Sequence, residues 1–189
     1  MLLELPLRLV IVCLLGLVAA GCDKQSASPE QGAGAEATPK SGRVEIDRSA
    51  SGTKAPTVTF KDPEGDDVTL ASFEGKPLLV NLWATWCAPC VAEMPDLDRL
   101  AAKGDDLQVL AVSQDLEGSE EKVAQFFKDR KLTNLEAYLD PQIALMTSLG
   151  VSNLPTTVLY DSEGREVWRV TGPLEWNGPE AAKLIAEAR

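Results

Sequence analysis

The apolar run Leu78–Trp83 is the feature of this sequence that most constrains the fold. It contains one polar residue, Asn81, and shows no alternation of apolar and polar positions. A strand of this type is buried on both faces, so both sides of its sheet must be covered. The run Leu107–Val112 is of the same type, and Pro89–Ala102 between them has apolar residues at helical spacing: Val91, Met94, Leu97 and Leu100. A strand, a helix and a second buried strand in this order predict an α/β domain.

The same alternation of elements continues toward the carboxyl terminus. Ser119 is placed to cap a second helix, whose first turn is acidic and whose last turn is basic, as the helix dipole favours. An Asp-Ser-Glu-Gly turn at 161–164 lies between two strand-like segments and indicates a hairpin. Pro179 begins a last helix. We therefore predict a mixed central sheet flanked by helices over residues 57–189.

The amino-terminal segment 1–21 has the features of an export signal. Its apolar core, Leu9–Ala20, is too short for a membrane-spanning helix, which needs about 20 apolar residues. Small residues precede Cys22, and this pattern resembles the lipobox of bacterial lipoproteins, in which the cysteine is acylated and becomes the new amino terminus. The alternative is ordinary signal-peptidase cleavage, which would leave Cys22 as a free thiol. We favour the lipoprotein, because several acyl chains anchor a protein durably and a free thiol is a liability in an oxidising compartment.

Residues 22–56 are predicted to form the lipidated amino terminus and a flexible tether. The segment is rich in Ala, Ser, Gly, Pro, Lys and Glu, and Val44 and Ile46 are its only large aliphatic residues. Such a composition cannot bury a core of its own. The folded domain is therefore expected to begin at Thr57 and to be held near the membrane by this tether.

Composition excludes several classes of function. The chain has no histidine, which removes Ser-His-Asp and Cys-His catalysis and most zinc and copper sites. Its formal net charge of -11 repels the phosphate groups of nucleic acids, so we expect no nucleic-acid partner.

Cys87 and Cys90 are the two cysteines of the predicted domain, and they lie where the first core strand leads into the first helix. Unpaired backbone N–H groups and the helix dipole stabilise a thiolate at that position, and Pro89 suits a first helical turn. A structural disulfide across so short a loop contributes only about 2 kcal/mol, and a zinc site lacks two ligands. A redox-active dithiol fits both the spacing and the position. We expect Cys87 to be its exposed nucleophile and the site to hold no metal.

The segment Val80–Cys90, followed by Glu93-Met94-Pro95, resembles the TlpA/ResA branch of exported thioredoxin-like reductases. The resemblance extends from about residue 56 to the carboxyl terminus. It implies a thioredoxin fold with an extra amino-terminal β-hairpin, formed by 57–60 and 68–70. Asn81 occupies the position at which cytosolic thioredoxins carry a buried titrating aspartate, so this chain lacks that proton acceptor.

Glu93 is the predicted replacement for that aspartate. It lies three residues after Cys90 on the same helix face, with no Lys or Arg three or four residues further on. The residues alone leave a solvated helix glutamate equally open. The TlpA/ResA branch uses a glutamate here, which implies that Glu93 takes and returns the Cys90 proton, helped by a pKa that partial burial raises.

Leu154 and Pro155 are predicted to be the other half of the site. A proline before a strand is most often a turn residue. In thioredoxin-like folds, however, a cis-proline here faces the two cysteines, and the backbone of the preceding residue pairs with the substrate chain. The resemblance implies that Trp86, Pro89, Leu154 and Pro155 contact substrate and that Trp86 also caps the cysteines, with Trp83 in the core.

The function that the resemblance implies is that of a membrane-tethered thiol:disulfide oxidoreductase, most simply a reductase of protein disulfides. It would need no cofactor beyond the Cys87–Cys90 disulfide. Its place would be the periplasmic side of the cytoplasmic membrane, with electrons from a membrane donor of the CcdA or DsbD type. Apocytochrome c, a copper-assembly protein and oxidised proteins in general all stay open as clients.

Two alternatives on the same fold are a Cu(I)-binding metallochaperone and a thiol peroxidase. Copper-assembly proteins of related fold add a histidine and space their cysteines by three residues, and this chain does neither. A peroxidase would have a threonine three residues before its reactive cysteine, where this chain has Ala84.

Overall fold

A computed structural model describes residues 44–104 and 106–188. In this part of the chain it confirms the predicted mixed α/β fold. The elements in chain order are β1 (Glu45–Asp47), β2 (Phe60–Lys61), β3 (Asp67–Val68), β4 (Leu78–Trp83), α1 (Ala88–Ala101), β5 (Gln108–Ser113), α2 (Glu120–Arg130), β6 (Ala137–Leu139), α3 (Ala144–Ser148), β7 (Thr156–Tyr160), β8 (Glu166–Thr171) and α4 (Pro179–Ile185), with short 3₁₀ helices at Leu70–Phe73 and Ala186–Ala188.

The strands form one mixed sheet in the order β1-β8-β7-β4-β5-β6-β2-β3. Strand β4 lies near the middle, parallel to β5 on one side and antiparallel to β7 on the other. Strand β6 continues the parallel part beyond β5. Parallel neighbours need a crossover connection, and α1 and α2 supply the two crossovers. The carboxyl ends of β4, β5 and β6 therefore lie along the same edge of the sheet.

Both faces of β4 are buried, as its lack of alternation predicted: all six of its residues are inaccessible. Leu79 and Trp83 belong to a core cluster that includes residues of α1, α2 and α4. Leu78, Val80 and Leu82 belong to a second cluster with residues of α3 and the amino-terminal hairpin. Alternate residues of a strand point to opposite faces, so Asn81 shares the α1 face with Leu79 and Trp83.

The extra amino-terminal hairpin is confirmed, with strands shorter than predicted. Phe60 pairs with Val68 and Lys61 with Asp67 in antiparallel register. A further pair, Lys61 with Leu139, attaches the hairpin to β6. The hairpin thus extends the sheet beyond its parallel part.

The prediction that the folded domain begins at Thr57 is wrong at this boundary. Strand β1 lies within the predicted tether and pairs with β8, Ile46 opposite Val170. Val44 and Ile46 also pack against the first core cluster. Without β1, strand β8 would present an unpaired edge, and the two aliphatic side chains would lie in water. The signal segment, Cys22 and the rest of the tether lie outside the described residues, so those predictions stay predictions.

Among the described residues, no helix combines the length and the hydropathy needed to cross a membrane.

Candidate active site

Cys87 and Cys90 lie at the junction of β4 and α1, as the sequence predicted. Cys87 is the N-cap residue of α1, and its Sγ accepts a hydrogen bond from the backbone N–H of Cys90 at 3.4 Å. Pro89 falls in the first turn, where its missing N–H has no helical partner to lose. The Cys87 sulfur therefore occupies the place where exposed N–H groups and the helix dipole favour negative charge.

The two cysteines form a disulfide and are covered by the protein. The exposed fraction is 6% for Cys87 and 0% for Cys90. The expectation of an exposed Cys87 is therefore wrong for this oxidised form, because both cysteines belong to the first core cluster, against which Leu154 also packs. Cys87 is still the more accessible of the two.

The two tryptophans near the cysteines differ sharply in exposure. Trp83 is fully buried, as expected for a core residue, and its ring lies 4.9 Å from that of Phe126. Trp86 is 68% exposed, so most of its ring faces solvent and little of it can cap the cysteines. Pro89 is exposed as well. Both side chains face solvent beside the cysteines.

The peptide bond between Leu154 and Pro155 is cis. Thr156 at the start of β7 pairs with Leu82 of β4, so Pro155 lies beside the carboxyl end of β4. Cys87 follows β4 in the chain and lies at this same edge of the sheet. Pro155 is buried, and its carbonyl accepts a hydrogen bond from the N–H of Gly172 at 2.9 Å. Tertiary structure thus brings together two parts of the predicted site that are far apart in sequence.

Glu93 is buried, with 4% of its surface exposed. Its Oε1 accepts from Asn81 Nδ2 at 2.8 Å, and its Oε2 accepts from Trp176 Nε1 at 3.1 Å and from the N–H of Leu174 at 3.2 Å. The alternative of a solvated helix glutamate is therefore wrong. Burial raises the pKa of Glu93 to about 7, although the three hydrogen bonds act in the opposite direction. The carboxylate of Asp96 adds to the increase.

Asn81 connects the Glu93 carboxylate to the centre of the sheet. Its amide nitrogen donates to Thr157 Oγ1 at 2.9 Å as well as to Glu93. Its oxygen has no hydrogen-bond donor among the described residues. A rotated amide would direct this oxygen toward Glu93, where it could accept a hydrogen bond from the protonated acid.

Trp176 is a site residue that the sequence analysis did not identify. It is buried in the loop between β8 and α4, and its indole N–H donates to a carboxylate 83 positions away in sequence. A tryptophan in a loop carries no local signal for such a role. Its hydrogen bond to Glu93 depends on how α4 packs against α1.

Asp115 is a second residue that the sequence analysis missed. It follows β5, is 2% exposed, and accepts from the backbone N–H of Thr85 at 2.8 Å and from its hydroxyl at 2.6 Å. Ser113 and Lys122 also contact the carboxylate. Burial by itself raises the pKa of Asp115, but these partners outweigh it and hold the pKa below its usual value. Because Thr85 lies two residues before Cys87, Asp115 fixes the loop that carries Cys87.

The described residues contain no group of three or more Cys, Asp or Glu side chains arranged to hold a metal ion. Ala84, at the position where a peroxidase would have its threonine, is fully buried. In the described part of the chain, the structure adds no residue in support of the Cu(I)-binding or the thiol peroxidase alternative.

A cysteine pair at a helix amino terminus, with a cis-proline loop on the same sheet edge, can exchange electrons with another protein: its disulfide accepts them from a dithiol, and its dithiol donates them to a disulfide. Joined to this sheet and its helices, that arrangement defines the class of thioredoxin-fold thiol-disulfide oxidoreductases. Residues 50–185 match the Redoxin family, and the chain belongs to it.

Curated relatives agree with this assignment. Thiol-disulfide oxidoreductase ResA of Bacillus thuringiensis subsp. konkukian (strain 97-27) is 31% identical over 121 residues, which are 64% of this chain and 69% of the relative. ResA of Geobacillus thermodenitrificans (strain NG80-2) is 32% identical over 127 residues, 66% of this chain and 71% of the relative. The predicted resemblance to the ResA branch is confirmed, and so is the activity of a thiol-disulfide oxidoreductase.

A solved structure shows the same fold. The exposed lipoprotein thioredoxin Etrx1 of Streptococcus pneumoniae strain TIGR4 superposes with a TM-score of 0.60 at 28% identity. The match covers 69% of this chain and 98% of that chain.

The first prediction concerns the burial of Glu93. A pKa near 7 in the folded protein and near 4.5 in the unfolded chain means that folding favours the protonated acid. Glu93 therefore contributes most to the free energy of unfolding below about pH 4.5, where it is protonated. This contribution is lost as pH rises to about 7. Relative to Glu93→Gln, the oxidised wild-type protein should lose about 3 kcal/mol of unfolding free energy over this interval.

Urea denaturation of both disulfide-bonded proteins across this pH range measures the difference. Glu180→Gln, which removes an exposed first-turn glutamate of α4, is the control and should leave the pH dependence unchanged. Parallel stability curves for wild type and Glu93→Gln would contradict the raised pKa.

Proposed function

We propose that the protein reduces disulfides of exported client proteins by dithiol exchange at Cys87 and Cys90. The observation that carries the proposal is the position of Cys87 Sγ at the N-cap of α1, where it accepts a backbone N–H. This position stabilises the attacking thiolate. The exposed Trp86 and the cis-proline loop beside it leave room for a client chain.

Glu93 supports electron transfer from the dithiol to the client. A helix amino terminus that stabilises the thiolate favours the reduced form of the cysteine pair. The disulfide form of such a pair is a strong oxidant. Glu93 lies on the helix face of Cys90 and would disfavour a Cys90 thiolate when both groups are charged, since two negative charges at close range disfavour each other. The dithiol then gives up its electrons more readily. The repulsion between Glu93 and a thiolate therefore supports a role as a reductase.

The proposed exchange has two steps. The Cys87 thiolate attacks one sulfur of the client disulfide, forming a mixed disulfide and releasing the other client sulfur as a thiolate. The Cys90 thiol then loses its proton to Glu93 and attacks Cys87, which releases the second client thiolate and forms the Cys87–Cys90 disulfide. Two electrons pass to the client, whose thiolates take up two protons.

Glu93 is suited to this proton transfer because a pKa near 7 lets it accept and return a proton at neutral pH. The amide of Asn81 can donate to the carboxylate and, once rotated, accept from the acid. The charged and neutral states of Glu93 would then each have a hydrogen-bond partner.

We further propose that Cys22 is acylated and holds the domain on the periplasmic side of the cytoplasmic membrane. The short apolar core of the signal segment and the small residues before Cys22 support this. Etrx1 is itself described as an exposed lipoprotein. A membrane donor of the CcdA or DsbD type would return electrons to the disulfide. The clients would be exported proteins such as apocytochrome c, which would place the protein in cytochrome c maturation, or a copper-centre assembly protein.

The second prediction assigns the two thiols. Full-length Cys87→Ser should lose reduction of a peptide disulfide in the presence of dithiothreitol. Cys90→Ser should instead accumulate a mixed disulfide, because no resolving thiol remains; non-reducing electrophoresis and mass spectrometry detect it. Full activity of Cys87→Ser would show that the nucleophile is assigned to the wrong cysteine.

The third prediction concerns the proton of Cys90. Glu93→Gln keeps the size of the side chain but cannot take a proton, so resolution of the mixed disulfide should slow by about 10- to 100-fold near neutral pH. The pH dependence of Cys90 alkylation in the reduced protein should shift as well. Glu180→Gln is the control. A wild-type rate and pH profile in Glu93→Gln would refute the proton-transfer role.

The fourth prediction concerns location. Wild-type protein should fractionate with membranes, and Cys22→Ser should lose this association because it cannot be acylated. Mass spectrometry of the amino-terminal peptide detects the lipid. Recovery of the wild-type protein in the soluble periplasmic fraction would contradict acylation at Cys22.

A further inference from the structure

Three large hydrophobic side chains are exposed in the described part of the chain, and all three lie at one edge of the sheet. They are Trp86, Leu116 and Ile143, with 68%, 65% and 40% of their surfaces exposed. They follow the carboxyl ends of β4, β5 and β6 respectively, which are neighbouring parallel strands. Ile143 has a φ of 50°, which a β-branched residue rarely adopts. An apolar row thus leads away from Cys87 toward β6.

A groove of about 470 Å³ lies beside β6, the strand that Ile143 follows. It is bounded by the first turns of α2, by β6 and the segment after it, and by the turn between β2 and β3. Its apolar lining comes from Ala124, Ala137, Leu139 and Pro141. Because α2 begins and β6 ends at the edge where Cys87 lies, the part of the groove lined by Glu120, Glu121 and Pro141 is at that edge.

Acidic side chains line the groove. Asp62 and Glu64 lie in the hairpin turn, and Glu120 and Glu121 lie in the first turn of α2. Lys61 is the one cation in the lining, and it is paired with Asp67 at 2.9 Å. An apolar groove with a negative rim is complementary to a chain that carries both apolar and basic side chains. The same charge repels anionic lipid headgroups and phosphates.

We propose that this groove and the three exposed side chains form a docking surface for a basic, apolar polypeptide segment next to the client's disulfide. This deepens the proposed function and rests on it. Strands β4 and β6 are two strand spacings apart, about 10 Å, which about three residues of extended chain span. Client residues three to six positions from the attacked cysteine would therefore reach the groove.

The chain offers a well-matched control for the acidic rim. Glu64 and Glu163 each lie in an Asp-x-Glu-Gly hairpin turn, with the backbone N–H donating to the aspartate two residues earlier. Glu121 and Glu180 are each exposed first-turn glutamates of a helix. Glu64→Gln/Glu121→Gln and Glu163→Gln/Glu180→Gln therefore remove the same charge from equivalent positions, inside and outside the groove.

The fifth prediction uses these two double variants of the full-length protein. The substrates are two peptides, each with one intramolecular disulfide and identical apolar residues, that carry Lys or Glu three to six positions from the cysteines. Wild type should reduce the Lys peptide with the higher kcat/KM. The groove variant should lose about 3- to 10-fold on the Lys peptide only, and the loss should shrink at about 0.5 M salt. The control variant should match wild type.

Leu116→Ser tests the apolar row and should lower kcat/KM for both peptides. Equal rates of the groove and control variants on the Lys peptide would overturn the docking surface, and so would a dimer of the wild type that the groove variant abolishes. Failure of wild type to reduce either peptide would instead refute the proposed reductase function.

Discussion

Strand β4 is buried on both faces, and the site depends on how those faces are covered. One face meets α1, α2 and α4, and the other meets α3 and the amino-terminal hairpin. Because β4 passes directly into α1, its end places Cys87 at a helix amino terminus, where backbone N–H groups favour a thiolate. The antiparallel neighbour β7 begins at the same end and brings the cis-proline loop beside the cysteines.

Two buried carboxylates near the cysteines behave oppositely, and their surroundings explain why. Asp115 accepts from Thr85 and Ser113 and has Lys122 within 3.3 Å, so its charged form is favoured and its pKa falls. Glu93 accepts only from neutral donors and has the negative Asp96 nearby, so burial prevails and its pKa rises. One carboxylate can therefore hold a loop in place while the other is able to exchange a proton.

The edge of the sheet that carries Cys87 has different surfaces on its β7 side and on its β5 and β6 side. Toward β7 it carries the cis-proline loop. Toward β5 and β6 it carries exposed apolar side chains and an acidic groove. In the proposed function, the cysteine pair carries out the exchange and the acidic groove selects the client.

Local sequence determined the elements and chemistry of this protein, because buried strands, helix termini and Cys-x-x-Cys are recognisable over a few neighbouring residues. It placed Cys87 at the start of α1, placed Cys90 and Glu93 on that helix, and identified the hairpin of β7 and β8. It did not reveal β6 or α3, which are three and five residues long and too short for a periodic pattern. The boundary at β1 was missed because a three-residue edge strand in a polar segment forms only when β8 offers a partner. The partners of Glu93, the loop contact of Asp115 and the exposure of Trp86 were decided by tertiary structure alone, since they depend on which distant segments the packed helices and sheet bring together.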